Sequence, residues 1–141
     1  MLFRSFVMGS VSAEKVIELQ KDADMLVHVE ALDLKNKLLV RQSFSTKIVD
    51  YLAAARPILA FGPKNVASID HLIKNNCAIV ADNETELLNK LSTVITNKNE
   101  LQQFASDAFD CGKRHHNKSD IDSMLKNDLS LLVKQQKECK P

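Results

Sequence analysis

The chain has 141 residues, of which 45% are hydrophobic and 26% charged, the size and balance of one globular domain. Lys and Arg number 19 against 18 Asp and Glu, and the net charge of +1 argues against nucleic acid or an anionic membrane as the main partner. Cys77, Cys111 and Cys139 lie far apart with no CxxC pair, which favours free thiols in a reducing compartment over a disulfide framework or a metal site.

The chain start has neither a signal-peptide apolar core nor a small-residue cleavage site, and no apolar run approaches the ~20 residues that cross a bilayer. A cytoplasmic location is therefore expected. In chain order, residues 2–7 read as a strand, 13–22 as a helix and 25–29 as a second strand. Residues 30–44 read as a loop, long for a strand-to-helix connection. The helix expected over 46–55 carries Ile48, Val49, Leu52 and Ala53 on one side, and residues 57–61 follow as a strand. Val66, Ile69, Leu72 and Ile73 mark a helix over 66–75, and residues 78–81 a further strand. The strands are apolar on both faces, and their alternation with helices predicts an open, parallel α/β sheet.

The rest is helical. Leu87, Leu88, Leu91, Val94 and Ile95 stripe one helix, capped near residues 83–85. Leu101, Phe104, Ala105, Ala108 and Phe109 stripe a second, with Gly112 as its expected end. Ile121, Met124, Leu125, Leu129 and Leu132 stripe a third, with Ser119 as the expected cap. The division is one domain over residues 1–133 and a polar, fraying tail over 134–141.

In an open parallel sheet, ligands bind beyond the carboxyl ends of the strands. The segment most informative about chemistry is SFSTKIVDYLAAARPILAFGP. With Ser45 as cap, the free amides of Thr46 and Lys47 favour an anion, and the Lys47 ammonium adds charge beside them. Asp50 lies four residues beyond Thr46, roughly 6 Å further along the axis at ~1.5 Å per residue. That offset suits a diphosphate and the hydroxyls of its ribose, which a carboxylate can accept. The competing reading is a capped surface helix with solvated polar residues. His28 and Tyr51 read first as packing residues, Glu30 as a loop residue, Gly62-Pro63 as a turn, and His115 and His116 as part of a solvated basic loop.

The stretch ADMLVHVE, the helix STKIVDYLA, the basic Arg56 and the strand PILAFGP together resemble the nucleotide-sugar-binding domain of GT-B glycosyltransferases, particularly glycosyltransferase family 4, the group 1 enzymes. The later VASIDHLIKNNCAIVAD and the two helices beyond it are similar to the same domain. The resemblance implies a Rossmann-like parallel sheet with flanking helices, extra helices at its C-terminus, and transfer of a sugar from a nucleotide diphosphate sugar to an acceptor without a metal or other cofactor. It places Asp50 at the ribose and Ser45, Thr46 and Lys47 at the diphosphate. Gln42 falls near the donor sugar and Gly9 near the base; no catalytic residue is assigned.

The sequence departs from the family at three positions. Asp50 and Gln42 stand where glutamate is usual, and Ala55 stands where glycine is common, which requires a negative φ there. The resemblance also begins at the family's third strand of this domain, so the chain is expected to be a truncated part of an enzyme. Its expected partners are a nucleotide sugar and either the N-terminal half or another copy of the chain, with peripheral membrane association in the full enzyme and a role in polysaccharide or glycoconjugate assembly. The alternative is a non-catalytic α/β fragment or interaction module.

Overall fold

The structure is a computed structural model that describes residues 6–138. Three short strands form one parallel sheet in the order β1-β2-β3, with β1 at Leu26–Val29, β2 at Ile58–Phe61 and β3 at Ile79–Ala81. Leu26 pairs with Ile58 and Leu59 with Ile79, so the carboxyl ends of all three strands lie on one side. Each strand is a residue shorter than its apolar run, because Met25, Pro57 and Ala78 precede the paired residues. Seven helices accompany the sheet among the described residues.

Sequence alternation sets the two layers. Ile58, Ala60 and Val80 point to one face and pack with Ile48 and Leu52 of α3 (Thr46–Ala53) and Ile69 and Leu72 of α4 (Ala67–Lys74). Leu59 and Ile79 point to the other face and pack with Leu87, Leu91 and Val94 of α5 (Glu84–Thr96). The helix α6 (Lys98–His115) serves both layers, with Leu101 and Phe104 on the second cluster and Ala108 and Cys111 on the first. This is the expected α/β architecture with parallel strands and flanking helices.

Helix starts follow their capping side chains. Ser12 accepts the Lys15 amide at the start of α1 (Ala13–Asp22), and Asn83 and Asn97 cap α5 and α6 through the Glu86 and Glu100 amides. Beyond its cap, Glu86 is held by Lys90 at 2.8 Å and by the Asp82 amide at 3.1 Å, which together keep its carboxyl at about 2. Lys90 also donates to the Val80 carbonyl at 2.6 Å, tying α5 to β3.

Several expectations are corrected. Residues 2–5 of the first expected strand lie outside the described residues, while Phe6 and Val7 belong to no strand and are 82% and 97% exposed. The 30–44 connection is not one loop: Asp33 accepts the Asn36 amide and starts α2 (Leu34–Val40). Gly112 does not end its helix but lies within α6, where a Cβ would come within 3.1 Å of Leu52 Cβ. Its missing side chain lets α6 close on α3.

The last helix, α7, spans Lys118–Glu138, and Asn117 rather than Ser119 supplies the side-chain acceptor at its start, to the Ser119 amide. Residues 134–138 continue this helix. The backbone at Ala55 is left-handed, with φ +54°, against the negative value required of an alanine. Asn76, after α4, has φ +49°, a conformation that asparagine adopts more readily.

Candidate functional site

The amides of Leu26 and Glu30 donate to the Pro57 and Phe61 carbonyls. Strand alternation therefore turns the N–H and C=O groups of Val27 and Val29 away from β2, toward the open edge of the sheet. The Tyr51 hydroxyl, from α3, donates to the Val27 carbonyl at 3.4 Å across that edge. Beside it runs a groove of about 460 Å³, lined by Val27, His28, Val29, Glu30, Val40, Ser43, Ser45, Lys47 and Tyr51. This volume lies in the ~300–1,000 Å³ range of small-molecule sites.

The basic wall of the groove comes from the start of α3. Ser45 occupies the N-cap position with extended backbone, yet its side chain makes no capping hydrogen bond. Instead its own amide donates to Ser68 Oγ at 3.0 Å, and Ser68 Oγ donates to the Ser43 carbonyl at 3.4 Å. Ser68 is fully buried on α4, so it holds the turn from behind. The Ser45 hydroxyl and the first amides of α3 thus remain outside the capping scheme. Lys47 is exposed and enters no ion pair among the described residues.

The opposite wall is the carboxyl end of β1. His28 Nε2 and Glu30 Oε1 are 3.0 Å apart, with side chains only 7% and 11% exposed. Residues two apart on a strand share a face, so the pair follows from local geometry. Gly62, the residue after β2, presses on it: a Cβ there would meet Glu30 Cβ at 2.8 Å. The bare Cα of Gly62 is therefore used against Glu30, and the turn reading of Gly62-Pro63 is incomplete. Together the groove offers an ammonium and helix-end amides for an anion, serine hydroxyls and a carboxylate for hydroxyl groups, and valine and tyrosine walls for an apolar ring.

The expected site residues do not all converge. Ser45 and Lys47 line the groove, while Thr46 is exposed beside it. Asp50 turns to a different, 200 Å³ cleft between α1 and α3, with Ile17, Gln20, Lys21, Ala53 and Ala54. Gln42 is exposed in the turn after α2, and Gly9, at φ +70°, has open space around its Cα. His116 departs from the solvated-loop reading, since it is half-buried against Phe44 and His71. Sequence reasoning missed Ser43 and Ser68 as parts of the site and read His28 first as a packing residue and Glu30 first as a loop residue, with a site role as its alternative. A histidine inside an apolar strand with an acid two residues later was the available signal; Ser68, a small polar residue on a helix, carries none.

A second groove at the carboxyl ends, about 420 Å³, is lined by Leu32, Lys37, Pro63, Lys64, Asn65 and Asp82. Its Lys64 is committed to Asp82 at 3.2 Å and Glu86 at 3.5 Å, an arrangement that raises the lysine pKa. Among the described residues, no cluster of three or more His, Cys, Asp or Glu side chains is arranged to hold a metal ion, and no helix is long and apolar enough to cross a membrane. No family model, curated protein or solved structure matches the chain.

Proposed function

We propose that the chain is the donor-binding part of a glycosyltransferase and binds a nucleotide diphosphate sugar in the groove between β1 and the start of α3. The observation that carries this reading is the placement of Ser45 and Lys47 opposite the His28–Glu30 pair around one open groove. Diphosphate oxygens suit the α3 amides and the Lys47 ammonium, and sugar hydroxyls suit Glu30 and the serines. The resemblance of the 23–63 segment to the GT-B nucleotide-sugar domain supports the same chemistry. In this reading the acceptor is held by an N-terminal half or by another copy, at the cytoplasmic side of a membrane. The ribose contact that the resemblance assigns to Asp50 requires the nucleotide to extend around α3 from the groove to the separate Asp50 cleft.

Calorimetric titration with uridine and guanosine diphosphate tests the assignment. Lys47→Glu is expected to abolish binding, because it places a negative charge where the diphosphate must sit. Asp50→Ala is expected to weaken binding by ~1–3 kcal/mol through loss of hydrogen bonds to ribose. Wild-type protein that binds neither nucleotide, or an unchanged dissociation constant in Lys47→Glu, would overturn the reading. An effect of Lys47→Glu with none of Asp50→Ala would confine the nucleotide to the β1 groove.

A second reading, an interaction module without transferase activity, has its own observation. Ile121, Met124, Leu125, Leu129 and Leu132 on α7 are all at least 43% exposed, an apolar stripe of the kind that docks on another protein. Absence of nucleotide binding together with intact folding would favour this reading.

A further inference from the structure

Phe44, the residue just before the α3 cap, is gripped by two imidazoles from other elements. His71 on α4 meets its ring edge-on with centroids 5.1 Å apart, and His116, at the end of α6, stacks on it at 5.4 Å. The two imidazoles face each other, Nε2 to Nε2, at 3.3 Å. His115 brings a third ring to 5.7 Å from His71, and Cys111 Sγ lies 3.7 Å from His71 Nε2.

Two ring nitrogens at that separation hold one proton between them, one ring donating and the other accepting. A neutral pair satisfies this, and so does a pair with a single charge. With both rings fully protonated, two N–H groups and two positive charges meet head-on. Burial and the neighbouring imidazoles already push His71 below the usual histidine range, and burial followed by His115 does the same to His116. On α4 the other charged groups are Asp70, which opposes the shift of His71, and Lys74, which engages Asp70 at 2.6 Å. Cys111 and His115 meet His71 from α6; on the same helix end the Lys113 ammonium lies over the Phe109 ring at 4.2 Å and Arg114 donates to the Asp110 carbonyl. Lys118 of α7 lines a groove with His116, and the 43–45 turn contributes no titratable side chain.

We propose that the His71–His116 pair is a proton-operated clasp on Phe44, and that double protonation frees the 43–45 turn and spoils the anion-binding geometry of the groove at the start of α3. The coupling runs through direct contacts. Phe44 is flanked by Ser43 and Ser45, whose carbonyl and amide are both tied to Ser68 on the helix that carries His71. Once the imidazoles separate, α4 and the α6 end no longer hold the turn from two sides. The effect on the ligand rests on the function proposed above; the opening of the clasp does not.

The experiment follows ¹⁵N-labelled protein by NMR from about pH 7.5 to about pH 4.5, across the range in which histidine titrates. The Phe44 and Ser45 amide signals are expected to move with the same midpoint as the ring signals of His71 and His116. The variant His116→Phe, which keeps the stacking but carries no proton, should abolish that movement, and His71→Asn serves if His116→Phe does not fold. In parallel, the dissociation constant of uridine diphosphate should rise about tenfold more per pH unit below the midpoint in wild type than in the variant, the effect of one linked proton. Amides at residues 44 and 45 that stay still while both histidines titrate, or move equally in the variants, overturn the clasp. Amides that move as expected, in a protein that binds no nucleotide at any pH, uphold the clasp and remove the function assigned to the groove.

Discussion

Substituting Gly112 with valine is expected to lower the stability of the fold by ~1–3 kcal/mol, the usual penalty for overfilling a packed interior. Helix propensity alone points the other way, since glycine inside a helix is worse than most residues by up to ~1 kcal/mol. Packing decides the sign. A Cβ at Gly112 would already sit 3.1 Å from Leu52 Cβ, and valine adds two methyl groups against a side chain with no exposed surface. Gly112→Ala adds that Cβ alone and should cost less than Gly112→Val. Urea unfolding of wild type and the two variants orders the three proteins, and a Gly112→Val chain as stable as wild type would mean that α3 and α6 do not meet at these residues.

Replacing Ser68 with alanine is expected to cost a further ~1–3 kcal/mol by a different route, the loss of a buried hydrogen-bond partner. The Ser45 amide would lose its acceptor and the Ser43 carbonyl its donor. Unlike Gly112→Val, this change should also weaken the nucleotide binding proposed for the groove, because the turn it loosens carries Ser43, Ser45 and the start of α3. Denaturant unfolding and titration of the same samples separate the two effects. Lost stability with undiminished affinity would show that the turn keeps its shape without Ser68.

Much of the fold was legible because local patterns and tertiary packing agree. The period-3.6 stripe of Ile48 and Leu52 and the doubly apolar Ile58 to Phe61 run each carry their burial in the letters, and α1 begins and ends where its cap and apolar spacing require. Helix α2 was missed because it is only seven residues long and its leucines do not reach the core: Leu34, Leu38 and Leu39 are exposed, so their spacing carries no burial. Gly112 misled because a glycine after an amphipathic run is usually a terminator, and only the proximity of Leu52 from another helix explains it here.

The candidate site was legible in part for the same reason. Ser45 and Lys47 belong to a local motif, the start of a helix, and both line the groove. The separation of Asp50 from them depends on the rotation of α3 against α1, which spacing along one helix does not encode. Ser68 and the His71–His116 contact join residues 23 and 45 positions away from their partners, beyond the reach of any local pattern.

The left-handed alanine after α3 has a consequence for how this chain can change. Alanine at φ +54° carries a steric penalty of roughly 1–2 kcal/mol that glycine does not. The alternative residue also loosens the unfolded chain, which returns up to ~1 kcal/mol of that advantage. Ala55→Gly should therefore raise the melting temperature slightly, while touching neither the groove nor the packed layers. A single base change separates alanine from glycine codons, so this turn is a reserve of stability within one mutational step. A chain that has drawn on it could then accept a damaging change elsewhere, such as a larger side chain against Leu52, and still fold.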